Sequence, residues 1–226
     1  MERYGADTAR CYILFIGPPD HAADWTDKGV EGVHRFLGRL WRLGADVAAS
    51  TGKQEPLGPL DSPEGDDLEL MRKAHWAIDK VTEDMAGRFA FNTAIAAVME
   101  LVNDAYRYRE TVHPQTLHFA TATAASLIFP FAPHTGSDVY DMLTGDRVWE
   151  EPWPAADLSM LERDTVEVVL QVNGKLRARI QAPADASREA LEAMAREQER
   201  IQAHIDGHEV VKVIVVPAKL VNFVVR

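Results

Sequence analysis

Cysteine is almost missing from this chain. Of 226 residues only Cys11 is a cysteine, which excludes an internal disulfide and any multi-cysteine zinc or iron–sulfur centre. A reducing cytoplasm fits that count. Long apolar runs are missing too, and no stretch approaches the roughly 20 residues that a spanning helix needs. The first residues, Met1 to Asp7, carry acids where a secretory signal needs a basic stretch and an apolar core. There is no Gly-rich phosphate loop, no His-Glu-x-x-His and no G-x-S-x-G. Repeats and low-complexity tracts are also absent. Positive charge is in short supply: 24 Lys+Arg stand against 35 Asp+Glu, a net of −11. Taken whole, that argues against an indiscriminately basic nucleic-acid binder.

What is present is ordinary for a globular protein. Apolar residues make up 46% and charged residues 26%, enough for real cores in one or two domains. The charge is divided unevenly. From residue 164 onward there are nine basic and nine acidic residues, so the whole acidic excess precedes that point. The segment from Trp149 to Asp157 contains Pro152 and Pro154 and reads as a linker, since proline interrupts helix and ladder alike. The expected domains are therefore 1–160 and 161–226.

The first part reads as a helix bundle. A helix is expected from Glu2 to Phe15, ending before Pro18. Thr26 is a good cap for a second, with Asp27 at the positive end of its dipole. Val30, Val33, Leu37, Leu40 and Val47 of that helix share one face. After a loop rich in proline and glycine, Leu70, Ala74, Ile78, Val81 and Met85 mark a third helix. Phe91, Ile95, Val98, Val102 and Ala105 mark a fourth. Pro114 suits the first position of a fifth, which runs to about Phe129. Pro130 and Pro133 then force a turn into a short helix ending near Leu143. Such stripes bury one face of each helix against the others.

The second part reads as a small β-β-α-β-β unit. Val166, Val168, Leu170 and Val172 alternate, and Asn173-Gly174 signals a turn. The returning strand sets Leu176, Ala178 and Ile180 on one face and Lys175, Arg177 and Arg179 on the other. Clean faces require Val172 to pair with Leu176, hence a three-residue loop or a bulge. Ser187 caps a helix with Leu191, Met194, Ile201 and Ile205 inside, ended by Asp206-Gly207. Strands at 210–216 and 220–225 complete the unit.

Several blocks carry a family resemblance, in order along the chain. They are Arg3-Tyr4-Gly5-Ala6-Asp7-Thr8-Ala9-Arg10, the stretch Trp25 to Leu37, Phe91-Asn92-Thr93-Ala94-Ile95, and Pro130-Phe131-Ala132-Pro133-His134. The set continues with Gln171-Val172-Asn173-Gly174-Lys175-Leu176-Arg177 and Val216-Pro217-Ala218-Lys219-Leu220-Val221-Asn222. Together they resemble bacterial leucyl-tRNA synthetase from just past its ATP-handling signature loop onward. The resemblance implies a mainly α fold: a class I synthetase anticodon-binding helix bundle, followed by a small α/β domain. Residues 1–16 would continue from the catalytic domain. The bundle would support the tRNA body, and the C-terminal domain, on a flexible tether, would touch the tRNA's outer corner and long arm. The His-Ile-Gly-His and Lys-Met-Ser-Lys-Ser motifs are missing, as are the catalytic Rossmann and editing domains. This portion alone is thus expected to be inactive and to need no cofactor, whereas the parent enzyme would use ATP and Mg. Expected partners are tRNA(Leu) and the missing domains, with no membrane, in a cytoplasmic monomer.

The candidate contacts are basic. Lys175, Arg177 and Arg179, on one strand face, would meet tRNA phosphates. Arg35, Arg39 and Arg42 share a helix face at i, i+4, i+7 and would meet the inner bend of the tRNA. Lys212 and Lys219 are weaker candidates. Other residues point to structure. Asp206-Gly207 breaks the helix between His204 and His208, which spoils a metal pair. Cys11 reads as a packed thiol, His134 as a cap or packing residue, and Trp25, Trp41 and Trp76 as core or interface. Glu64-Gly65-Asp66-Asp67 reads as a helix start. Two other identities remain open: a free-standing helical interaction module, favoured by the acidic bundle, and the same region of an isoleucine or valine synthetase.

Overall fold

The computed structural model describes residues 3–17, 26–52, 60, 62–87, 89–161 and 165–226. They form two compact units, Met1–Leu161 and Glu162–Arg226. The first holds α1 (Gly5–Phe15), α2 (Asp27–Thr51), α3 (Gly65–Ala86), α4 (Phe91–Tyr108), α5 (Pro114–Ile128) and α6 (Pro133–Thr144), then a 3-10 turn at Leu158–Leu161. The expected helix ends hold closely, although Glu2 and Trp25 lie outside the described residues. Thr26 caps α2 by accepting from the Gly29 amide. The stripes of α2 and α3 are buried, with Met85 and the Phe91 of α4 half-buried at the margin.

α5 differs from the rest. Thr116, His118, Ala120, Ala122, Ala124 and Leu127 are all buried although they face different directions. α2, α3, α4 and α6 all pack on it. A helix buried on every side is a central one. Its side chains are small, so its neighbours come close. A Cβ on Gly136 of α6 would lie 2.8 Å from Phe129 Cα and 2.9 Å from the Ala125 carbonyl oxygen. Two polar side chains of α5 turn to backbone: Thr121 Oγ1 donates to the Leu117 carbonyl, and His118 Nε2 to that of Leu143.

Asp7 ties α1 to the start of α6. Its carboxylate accepts from the Thr135 amide at 2.6 Å, Thr135 Oγ1 at 2.9 Å and His134 Nδ1 at 2.9 Å. This caps α6 from a different helix and supplies the orphan amides of its first turn. Burial pushes the Asp7 carboxyl up, but the hydrogen bonds from His134 and Thr135 together outweigh it and hold the group below its ordinary value. The same contact raises His134 above the ordinary imidazole.

The second unit is a four-stranded sheet with two helices on one face. Its strands are β1 (Thr165–Val172), β2 (Lys175–Pro183), β3 (Val210–Val216) and β4 (Leu220–Val225), in the order β2-β1-β4-β3. The central pair β1–β4 is parallel and both outer pairs are antiparallel. α7 (Arg188–Arg196) and α8 (Glu199–Ile205) bury Leu191, Ala195 and Ile201 against Val168, Leu170, Val221 and Phe223. Ser187 caps α7 through the Ala190 amide. The single expected helix is two, separated at Gln198, which adopts extended backbone (φ −74°, ψ 121°) and caps α8.

Two readings need correction. Val172 pairs with Lys175, not Leu176, and Leu176 stands opposite Gln171 and is 53% exposed. The expected bulge is present, but it lies one step further along, where the register shifts between Leu170 and Gln171. The 149–157 stretch is not a free linker. Trp149 stacks on Phe129, Trp153 Nε1 donates to Thr82 Oγ1, and the Asp157 amide donates to His75 Nδ1.

Two outcomes follow from this packing. Gly136→Ala gains about 1 kcal/mol of helix propensity. The new methyl, however, meets backbone that cannot swing aside, so a net loss of about 1–2 kcal/mol is expected. A thermal melt would read it as a drop of several degrees. For His134 the raised folded pKa means that its contribution is full below its ordinary 6.5 and is lost as pH rises through the folded value. The gap in urea midpoint between the parent and His134→Ala should therefore narrow on going from about pH 6 to about pH 9.

Candidate nucleic-acid interface

The geometry of the C-terminal sheet starts at its first turn. Asn173 (φ 51°) and Gly174 (φ 76°) form a two-residue turn with both residues left-handed, which suits the twist of a hairpin. Asn173 Oδ1 accepts from the Val225 amide at 2.9 Å while its Nδ2 donates to the Val225 carbonyl at 3.1 Å. Asn222 Oδ1 accepts from the Gly174 amide at 3.0 Å. The hairpin tip is therefore held to β4, the strand beside β1. Asn222 was not singled out from the sequence. Its position on an otherwise apolar strand was the available signal.

The bulge decides where the charges go. Two residues, Leu176 and Arg177, face the single Gln171, and the normal register resumes at Leu170 opposite Ala178. The expected face of Lys175, Arg177 and Arg179 is accordingly broken. Lys175 pairs with the buried Val172 and takes the parity of the helix-covered face, though it stays exposed at the tip. Leu176, Arg177 and Arg179 take the other face. Arg179 forms an ion pair with Glu167 at 3.0 Å. Arg177 is half-buried, and its Nε is shielded from solvent with no hydrogen-bond partner.

The helix-free face can be read across in rows. Arg179, Val169, Leu220 and Val216 form one row, and Leu176, Gln171, Asn222 and Ile214 the next. Lys212 pairs with Val224 on the same parity. The face thus has an apolar and amide centre with Arg177 and Arg179 on one edge strand and Lys212 on the other. Lys219 is exposed in the turn between β3 and β4. Leu176, Ile214 and Val216 are among the exposed large apolar residues. An apolar and amide centre with a basic rim suits a ligand that carries both phosphates and base faces.

The bundle's arginines divide in a similar way. Arg35 and Arg42 are exposed on α2. Arg39 is held by α4: its Nη1 donates to Asn103 Oδ1 at 2.7 Å and its guanidinium lies 4.6 Å from the Tyr106 ring centre. Arg109 approaches the same ring at 5.6 Å. That second cation was not singled out from the sequence, although it stands three residues beyond Tyr106 at the end of the same helix α4. Lys73 likewise sits 3.4 Å over the Trp76 ring.

The remaining candidates are structural. Cys11 is buried, and burial pushes its thiol up to about 12. Trp41 is exposed rather than core. Asp66 and Asp67 open α3 and also hold the α4–α5 loop, accepting from Thr111 Oγ1 and the His113 amide. α8 ends at Ile205, between His204 and His208. No helix among the described residues is long and apolar enough to cross a membrane.

Comparison with known proteins identifies the family. Residues 67–193 match the family described as "Anticodon-binding domain of tRNA ligase". The chain is 43% identical to a leucine--tRNA ligase of Thioalkalivibrio sulfidiphilus and 44% identical to one of Chromohalobacter salexigens, aligned over 100% and 99% of its length. It covers 28% and 26% of those proteins, so it spans about a quarter of the relatives it matches. Among solved structures it matches the ternary LeuRS-tRNA-LeuAMS complex of Agrobacterium radiobacter K84. The TM-score is 0.80 at 28% identity, covering 100% of this chain and 29% of that one. Fold and match define the class: the helical anticodon-binding region of a tRNA ligase, followed by a small sheet domain. The chain belongs to the leucine--tRNA ligase family and corresponds to its C-terminal region.

The Asn173 bridge can be tested by substitution. Asn173→Ala loses two hydrogen bonds and strains a left-handed position, whereas Asn173→Gly loses only the bonds. We expect the Val225 amide to lose hydrogen-exchange protection in both, and the alanine variant to be the less stable by about 1 kcal/mol.

Proposed function

We propose that this chain is the tRNA-positioning portion of a leucyl-tRNA synthetase. It holds tRNA(Leu) while a catalytic domain outside this chain joins leucine to the tRNA, converting ATP to AMP and diphosphate. The observation that carries the reading is the match of the whole chain to a synthetase solved with tRNA. The rimmed sheet face adds to it: Arg177, Arg179, Lys212 and Lys219 suit phosphates, and the apolar centre suits a base face. On the bundle, Arg35 and Arg42 are available to the tRNA body, with Arg39 committed first to Asn103 and Tyr106. Lys175 would contribute from the hairpin tip. The partners are the catalytic and editing domains of the same enzyme. ATP and Mg act there, and this chain contributes no catalytic residue. The setting is a cytoplasmic monomer.

The chemistry assigns charge its part. A net of −11 repels a polyanion at long range, so binding depends on local cations brought into register by the fold. Four phosphate contacts from the rim would contribute a slope of about −3 in log affinity against log salt. Replacing Arg177, Arg179, Lys212 and Lys219 together by Ala should weaken tRNA binding and flatten that slope by about 3. Filter-binding titrations across a salt series provide the measurement. An unchanged slope and affinity would remove the rim from the assignment. Equally weak binding of the parent chain to tRNA and heparin would favour a helical interaction module instead.

A further inference from the structure

A groove of about 180 Å³ opens on the first unit where α5, α6 and the stretch after α6 meet. Ala122, Thr123 and Tyr140 are its buried residues, and Glu151 and Pro152 stand exposed at its edge. Phe119, Ser126 and Pro154 line it half-buried. The polar groups set this groove apart. Tyr140 is 6% exposed, yet its hydroxyl has no hydrogen-bond partner among the described residues. Buried hydroxyls are nearly always bonded. Thr123, also 6% exposed, and Ser126 line the same groove, and neither spends its hydroxyl on another described residue. On the same helix Thr121, by contrast, donates to the carbonyl of Leu117. Glu151 has no ion pair or hydrogen bond among the described residues either. The neighbouring cation Arg147 pairs with Glu150 instead, at 3.1 Å. One carboxylate and three hydroxyls therefore border a single space without being used by the fold. Burial, then the carboxylates of Glu151 and Asp146, push the Tyr140 phenol up to about 12, so it stays a neutral hydroxyl.

The ligand class follows from this inventory. No Lys, Arg or His is among the described residues that line the groove. A carboxylate and hydroxyl oxygens accept N–H donors, and the aromatic rings of Phe119 and Tyr140 favour a cation over their faces. The space is close to the roughly 150 Å³ that holds one benzene ring, which excludes a nucleotide or a stretch of peptide. We propose that this groove binds a small free organic cation, a guanidinium or ammonium head on a short apolar stem. The head sits between Glu151 and the Tyr140 hydroxyl, and Thr123 and Ser126 take its remaining N–H groups. The stem packs on Phe119, Pro152 and Pro154. A guanidinium fits best, because its planar face stacks on an aromatic ring while its edge donates. The site lies wholly within the first unit and needs no tRNA.

The test titrates the whole chain with butylguanidinium, followed by calorimetry and by amide shifts in NMR spectra. A Kd of about 1 mM is expected for a ligand of this size. Neutral butylurea has nearly the same shape and should bind about ten-fold more weakly. Tyr140→Phe keeps the ring and removes only the hydroxyl, and Glu151→Gln keeps the size and removes only the charge. Each should raise the Kd about five-fold or more. Tyr140→Phe should not lower the melting temperature, since it breaks no hydrogen bond among the described residues. Glu150→Gln is the charge-matched control, because Glu150 is exposed and pairs with Arg147, and it should leave the Kd unchanged. Equal affinity for butylguanidinium and butylurea overturns the cationic ligand. Equal losses in Glu150→Gln and Glu151→Gln reduce the binding to diffuse attraction by a chain of net charge −11 and overturn the site. So does an absence of saturable binding, or a set of shifts that does not centre on Thr123, Ser126 and Tyr140. N-acetylarginine methylamide carries the same head on a peptide backbone and should bind more weakly. Tighter binding of that probe overturns the free ligand in favour of a protein side chain.

Discussion

The slenderness of α5 is the constraint on which the first unit depends. A helix with Ala120, Ala122, Ala124 and Ala125 along its middle offers little side-chain bulk there. Four other helices can therefore pack against it at once. Packing at crystal density allows such closeness only where one partner is thin, and Gly136 continues the thinness into α6. The other arrangements follow from it. α6 lies near enough to α1 for Asp7 to cap it. The segment beyond α6 borders a groove with α5 and α6 and bonds to the polar positions His75 and Thr82 of α3.

Most of the bundle was legible in the sequence because most of its helices have one wet face. Periodic stripes, the Thr26 cap and the Pro114 start are local signals, and they were followed. α5 was legible in extent but not in role, since a helix whose buried positions, polar Thr116 and His118 among them, face several directions has no single stripe to read. The segment from Trp149 to Asp157 was misread for a related reason. Prolines that end regular structure also permit an extended path over a surface, and only the partners Thr82 and His75, more than seventy residues away, tell the two apart.

The candidate interface was legible in its residues and not in its grouping. Strand parity requires a bulge somewhere in β2, but parity alone does not say at which step. The turn chemistry settles it, because Asn173-Gly174 favours the tight two-residue form and pushes the extra residue to Leu176–Arg177. That choice moves Lys175 off the face of Arg177 and Arg179 and adds an exposed leucine to it. Across the sheet, Lys212 on β3 joins the same face only through the β4 pairing, which no local pattern announces. Among the arginines of α2, the diversion of Arg39 to Tyr106 depends on a partner from α4 and was equally hidden.

The bulge also fixes where this hairpin can change in length. An extra residue held outside the ladder is a deletion that the sheet has room to accept. Losing one residue from Leu176–Arg177 would leave Ala178, Ile180 and Ala182 facing the helices, with the strand simply regularised. Losing one between Arg179 and Ala182 would instead reverse the inward order of every position on one side of the gap. Insertions and deletions in β2 should accordingly be absorbed at a single place, two residues past the turn, beside the cations that rim the open face.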